Sequence, residues 1–134
     1  MLEKINHIGI AVPSIDAILP FYRDQLGMTC LGIEEVGEQK VKVAMLAIGE
    51  SKIELLEPTA TDSPVAKFLE KNGQGIHHVA YEVADIEAAI AALMASGARM
   101  IDESPRQGAH GTRIAFIHPK SSQGVLTELC QSGH

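Results

Sequence analysis

Four ionisable residues, His7, Glu54, His78 and Glu128, stand at duplicated places in this sequence and have the chemistry to hold one divalent cation. Ile5-Asn6-His7-Ile8-Gly9-Ile10-Ala11-Val12 lies over Ile76-His77-His78-Val79-Ala80-Tyr81-Glu82-Val83, 71 residues further on, with Ile, His and Val at matching places. Ile15 then falls on Ile86, Ala17 on Ala88 and Ala44 on Ala115. Glu54-Leu55 lies over Glu128-Leu129 at an offset of 74, because Lys120-Ser121-Ser122-Gln123 lengthens the second copy relative to Glu50-Ser51. Two imidazoles and two carboxylates suit Zn, Co, Ni, Mn or Fe and leave room for water or substrate. A lone histidine inside a strand is more often a hydrogen-bonded structural group than a ligand. A glutamate inside Ile53-Glu54-Leu55-Leu56 is harder to explain that way. It must alternate out to solvent or be buried at considerable cost without a partner. The duplication of both residue types decides for a metal.

The elements that must position these four residues repeat as well. Residues 5–12 alternate and are rich in Ile and Val, which predicts a strand. Ser14 serves as N-cap, Ile15, Ile18, Leu19, Tyr22 and Leu26 share one helical face, and Gly27 closes the helix. Pro20 removes an interior backbone donor and should bend that helix. Strands follow at about 29–35, 41–48 and 52–57. In the second copy the spacing predicts a strand at 76–83, a helix from an Asp85 cap to Ser96 with Gly97 after it, and strands near 98–103, 113–118 and 124–130. Each half is therefore β-α-β-β-β. The chain reads as one α+β domain of two tandem modules, residues 1–59 and 75–134. The connector at 60–74 carries a short helix with Ser63 as cap, Pro64 in the first turn and Gly73 at the end. If the modules pair about a pseudo-twofold, their first and last strands can bring His7, Glu54, His78 and Glu128 into one cleft.

Other polar residues sort less favourably. His77 aligns with Asn6 and alternates away from His78, so it is structural or supports a ligand. Glu57, three residues from Glu54, belongs on the opposite strand face. His118 and His134 read as exposed, and Tyr22 and Tyr81 as packing residues. His110, in the Gly-rich loop from Pro105 to Arg113, divides evenly between a substrate contact and a plain surface role.

With 134 residues the chain is long enough for one domain with a real core. Only 4% of the residues are aromatic and none is Trp, so that core must be aliphatic. A net charge of −6 argues against a nucleic-acid or anionic-membrane binder, though not against a small anion held by a local cationic cluster. No apolar run approaches the ~20 residues of a membrane span, and Glu3 and Lys4 interrupt any leader-like start. Cys30 and Cys130 sit in apolar strand-like runs and read as small buried hydrophobes. These features together predict a cytoplasmic protein.

The pattern resembles the vicinal oxygen chelate superfamily, whose members pair β-α-β-β-β units with a His and a Glu from each. Within it, several stretches look like the epimerases of methylmalonyl-CoA. They are Asn6-His7-Ile8-Gly9-Ile10-Ala11-Val12, Glu54-Leu55-Leu56-Glu57-Pro58, Asp62-Ser63-Pro64-Val65, Lys71-Asn72-Gly73, Ala109-His110-Gly111 and His118-Pro119-Lys120. The resemblance covers essentially the whole chain. It implies one cupped mixed sheet around the metal, and one divalent ion, with Co2+ the leading choice and Zn2+, Ni2+ or Mn2+ as alternatives. It also implies interconversion of (2R)- and (2S)-methylmalonyl-CoA, an acyl-CoA thioester, by α-proton abstraction and return through a metal-stabilised enolate. Some bacterial epimerases carry a glutamate on the third strand and a glutamine among the ligands. Here Val43 and Glu54 stand there, as in the mammalian enzymes. Glu128 is thus expected as one acid/base residue and Glu54 as its partner. Arg106, Arg113 and Lys120 become candidates for the CoA phosphates, and His110 for the substrate. The resemblance, with the open edges of such sheets, also suggests a homodimer. A glyoxalase I-like isomerase and a non-catalytic ligand binder of the same superfamily are the alternatives.

Overall fold

In the computed structural model, described here for residues 1–133, the strands are β1 (Leu2–Ala11), β2 (Thr29–Val36), β3 (Val41–Ile48), β4 (Ser51–Pro58), β5 (Gly75–Val83), β6 (Arg106–Gln107), β7 (Arg113–Ile117) and β8 (Thr127–Gln131). The α-helices are α1 (Ile15–Pro20), α2 (Pro64–Asn72) and α3 (Ile86–Ala95). The strands pair in the orders β2-β3-β4-β1 and β5-β8-β7-β6, each a mixed sheet. The chain forms two compact units, His7–His77 and Met1–Asn6 together with the chain from His78 onward, so β1 is divided between them.

In the His7–His77 unit, β1 pairs in parallel with β4, and β3 lies antiparallel to both β4 and β2. The Ser14 hydroxyl accepts from the Ala17 amide and starts α1. Pro20 ends the regular helix, and the chain continues as a π-helical turn over Phe21–Gln25. The missing proline N–H explains the wider turn, since one i→i−4 bond cannot form there. Gly27 takes a φ of +77° and turns the chain into β2. The connector behaves as its residues dictate: Ser63 caps α2 at the Ala66 amide, and Gly73 ends it with a φ of +78°.

The other unit repeats the plan. Here β5 runs parallel to β8, and β7 is antiparallel to β8 and β6. Asp85 caps α3 at the Ala88 amide, and α3, lacking a proline, runs straight through to Ala95. The two cores are copies. Val12, Ile15, Leu19, Ala44, Leu46 and Leu55 cluster in one, and Val83, Ile86, Ile90, Ala115, Ile117 and Leu129 stand at the equivalent places in the other. The aliphatic character follows from composition: the six positions are filled in both copies by only four types, Val, Ile, Leu and Ala.

One predicted strand is replaced. Residues 98–103 make only an isolated bridge, Met100 to Ile117, and the strand resumes briefly as β6. The reason lies in Asp102 and Pro105. The amides of Ile101 and Asp102 both donate to the Phe116 carbonyl, and the Asp102 carboxylate itself accepts from the Phe116 amide at 2.9 Å. A side chain thus takes the place of a backbone acceptor, and Pro105 offers no donor to resume the ladder. Gly108 lets the following loop close, because a Cβ there would stand 2.6 Å from Thr112 Oγ1 and 2.7 Å from Ile114 Cγ2. Neither cysteine is in a disulfide; Cys130 is buried and Cys30 half-buried. Among the described residues no helix is long and apolar enough to cross a membrane.

Candidate metal centre

Register does the positioning. In the β1–β4 ladder Glu54 stands opposite Gly9, two residues beyond His7, so His7 and Glu54 share a face. In the β5–β8 ladder Glu128 stands opposite Ala80, two residues beyond His78. A small residue faces each glutamate, which leaves room for the carboxylate to turn toward its histidine. His7 Nδ1 lies 3.3 Å from Glu54 Oε2, with the two side chains 5% and 10% exposed. His78 Nε2 lies 3.1 Å from Glu128 Oε1, with side chains 5% and 4% exposed.

Carboxylates this deeply buried must be compensated. Each has an imidazole within ion-pair distance, and imidazole nitrogen with carboxylate oxygen is a donor set suited to a divalent cation. The residues present therefore fit such an ion. Val43 is buried on β3 opposite Leu56, which follows Glu54 by two residues, so this position on the Glu54 face is apolar. No proton can be exchanged by the side chain there.

Phe116, opposite Glu128 in the β7–β8 ladder, packs edge-on against the His78 ring at 5.5 Å. A third buried carboxylate, Glu82, escaped sequence reasoning. It accepts from Asn6 Nδ2 at 2.6 Å and from the Ser132 amide and hydroxyl, both at 3.0 Å. Glu82 binds the segment after β8 and the start of β1 to β5. The signal that singled out Glu54, a glutamate between apolar strand residues, was present in Tyr81-Glu82-Val83 too. Ser132 carried no such signal.

The remaining polar residues have other partners. His77 stacks edge-on with Phe68 at 5.0 Å. Glu57 lies on the opposite face from Glu54 and accepts from the Ile15 amide at 2.7 Å. His118 Nδ1 accepts from the Lys120 amide at 3.1 Å and so orders its own turn. Tyr22 packs edge-on to Phe21 and against the first core. His110 is exposed at a φ of +58°, and Lys120 is exposed. Arg113 stands in register with Gln131 and Gln107, on the α3 side of the sheet, and pairs with Glu87 at 3.0 Å. Its hydrogen bond to Glu87 raises the guanidinium pKa further. His134 lies outside the described residues.

Residues 6–116 match the profile of the Glyoxalase/Bleomycin resistance protein/Dioxygenase superfamily. The chain is 43% identical to an ethylmalonyl-CoA/methylmalonyl-CoA epimerase of Cereibacter sphaeroides, over 98% of this chain and 99% of that one. It is 40% identical to the mitochondrial methylmalonyl-CoA epimerase of Mus musculus, over 98% of this chain and 74% of that one. A variant of the Streptomyces coelicolor methylmalonyl-CoA epimerase, solved with 2-nitronate-propionyl-CoA, superposes with a TM-score of 0.97 at 45% identity, covering 100% of both chains. The two-module α+β architecture, the duplicated His–Glu pairs and this likeness along the full length agree: the chain has the vicinal oxygen chelate fold and belongs to the glyoxalase superfamily, within it to the methylmalonyl-CoA epimerases.

Proposed function

We propose that this chain is an isomerase that interconverts (2R)- and (2S)-methylmalonyl-CoA by removing the α-proton on one face and returning it on the other. The observation that carries this is full-length likeness, in sequence and in fold, to epimerases of that substrate. We assign His7, Glu54, His78 and Glu128 as ligands of one divalent ion. In support, each unit by itself offers an imidazole nitrogen beside a carboxylate oxygen, His7 with Glu54 at 3.3 Å and His78 with Glu128 at 3.1 Å. When bound, such an ion acts as a Lewis acid toward the thioester and carboxylate oxygens. Co2+ is our leading choice, with Zn2+, Ni2+ and Mn2+ compatible with the same donors.

The chain's own residues supply the proton chemistry. Inversion needs an acid/base group on each side of the α-carbon. Glu128 takes one role and Glu54 the other, since Val43 leaves no further carboxylate at the corresponding place on β3. Burial excludes bulk water from both carboxylates and keeps the exchanged proton local. His110 and Lys120, exposed on the loops of the second module, are assigned to the substrate, and Arg113, paired with Glu87 on the α3 side of the sheet, to its CoA phosphates only. The two modules and their connector act as one domain, working as a homodimer in the cytoplasm.

The test is α-proton exchange of methylmalonyl-CoA in deuterated water by the metal-loaded protein. The hemithioacetal of glutathione and methylglyoxal serves as a parallel control for the glyoxalase reaction. Deuterium wash-in at C2 with no turnover of the control is the expected result. No exchange by metal-loaded protein overturns the proposal.

A further inference from the structure

We infer that Arg106 recognises the free carboxylate of the malonyl thioester, and so makes the site selective for malonyl over simple acyl thioesters. The inference rests on the epimerase reading above. Register places Arg106 opposite Ile114, Ile114 opposite Cys130, and Phe116 opposite Glu128. Residues paired across neighbouring strands share a face, so Arg106 lies on the face that carries Glu128 and His78, away from α3. Among the described residues of β5, β6, β7 and β8 it is the Arg or Lys on this face, in a protein of net charge −6.

The side chain is held in place but not used up. Its guanidinium carbon sits 5.8 Å from the centre of the Phe116 ring, in cation–π range, and that ring touches His78. Its Nε is 3.3 Å from Asp102 Oδ1, and Asp102 is itself fixed by the Phe116 amide at Oδ2. The Nε–Asp102 pair is within ion-pair distance yet too poorly aligned for a hydrogen bond, and Nε is buried. A buried donor left in that condition is costly, and a carboxylate accepting from the guanidinium fork would relieve it. Phe116 meanwhile sets the distance between this fork and the His78–Glu128 pair. A malonyl carboxylate presented at that pair is the anion this geometry suits. The CoA phosphates, several bonds further along the thioester chain, are the competing source of negative charge.

The experiment measures dissociation constants of malonyl-CoA and propionyl-CoA by calorimetry, on metal-loaded parent, Arg106→Gln and Arg106→Lys proteins. The two probes differ only in the carboxylate. Parent protein should prefer malonyl-CoA. Arg106→Gln should weaken malonyl-CoA by about tenfold or more and leave propionyl-CoA within about twofold, with Arg106→Lys between. Equal loss for both probes assigns Arg106 to the phosphates and overturns the inference. An unchanged malonyl-CoA preference overturns it too. A parent that exchanges the α-proton without any malonyl preference defeats the inference while the epimerase reading stands. A parent that neither exchanges nor binds defeats both. Circular dichroism and the melting transition establish that each variant is folded.

Discussion

Glu128 stands two ladder positions beyond His78 on the neighbouring parallel strand, and its carboxylate reaches back to 3.1 Å from the imidazole. The same offset relates Glu54 to His7. A diagonal across a parallel pair is a rigid way to set two ligands, because β5 and β8 are held by backbone hydrogen bonds and neither residue depends on a loop. The geometry is therefore a property of the ladder, and duplicating the ladder duplicates the ligand pair.

Removing ligands should first show itself in metal content and stability. His7→Ala and His78→Ala should each fall well below one ion per chain by elemental analysis after dialysis. For the parent, chelation should lower the melting temperature. At a hundredfold excess of ion over its Kd, binding contributes about 2.7 kcal/mol, roughly 10 °C for a domain of this size. A parent whose melting temperature ignores both chelator and added ion would count against a resident metal.

The two glutamates should separate by stereochemistry. Glu128→Gln and Glu54→Gln retain shape and an oxygen donor but lose the proton-accepting carboxylate. Each should cost about 10² to 10⁴ in epimerisation, the usual contribution of a positioned acid/base group. Each should also spare wash-out of the α-proton from the one epimer that the remaining glutamate faces. Glu54→Gln that epimerises at the parent rate would reduce Glu54 to a dispensable ligand.

Much of this was legible before any coordinates, for a definite reason. Six core residues in the first module have counterparts in the second at the repeat offsets, as do the caps Ser14 and Asp85. Periodicity and capping are local, and repetition made each signal count twice. What was not legible depends on side chains replacing backbone. Residues 98–103 alternate well enough for a strand, yet Asp102 takes the Phe116 amide and ends it. Glu82 stood between apolar strand residues as Glu54 does, but its partners Asn6 and Ser132 are distant in sequence and neither is charged. The π turn after Pro20 was foreseen only as a bend, since proline dictates a missing bond and not the turn that replaces it.

Acid should act on the connector's ion pair. Lys40 hydrogen-bonds the exposed Asp62 and holds its carboxyl below the usual range. A folded-state pKa lowered in this way stabilises the protein above the unfolded-state pKa, about 3.9, and that stabilisation is lost as pH falls through the folded value. Asp62→Asn should therefore have a slightly lower urea midpoint than the parent at pH 7, and the difference should close on approach to pH 3. The pair is exposed, so 1 M salt should shrink the difference at pH 7 as well. A gap that widens on acidification would show that the pair does not carry it.

A final prediction concerns the two helix starts. The Glu57 carboxylate accepts from the Ile15 amide at 2.7 Å, and the Gln131 side-chain carbonyl accepts from the Ile86 amide at 2.8 Å, one repeat further on. Each ties the last strand of its module to the first turn of the helix, satisfying a donor that has no partner within the helix. The second module shows that an uncharged oxygen suffices. Glu57→Gln should therefore change stability by less than about 0.5 kcal/mol, the loss being the exposed Lys42 contact at 3.8 Å. Glu57→Ala and Gln131→Ala, which leave the amide unpaired, should each cost about 1–2 kcal/mol in urea unfolding. A Glu57→Gln variant as unstable as Glu57→Ala would mean that charge at the helix start, and not the hydrogen bond, is what the first module uses.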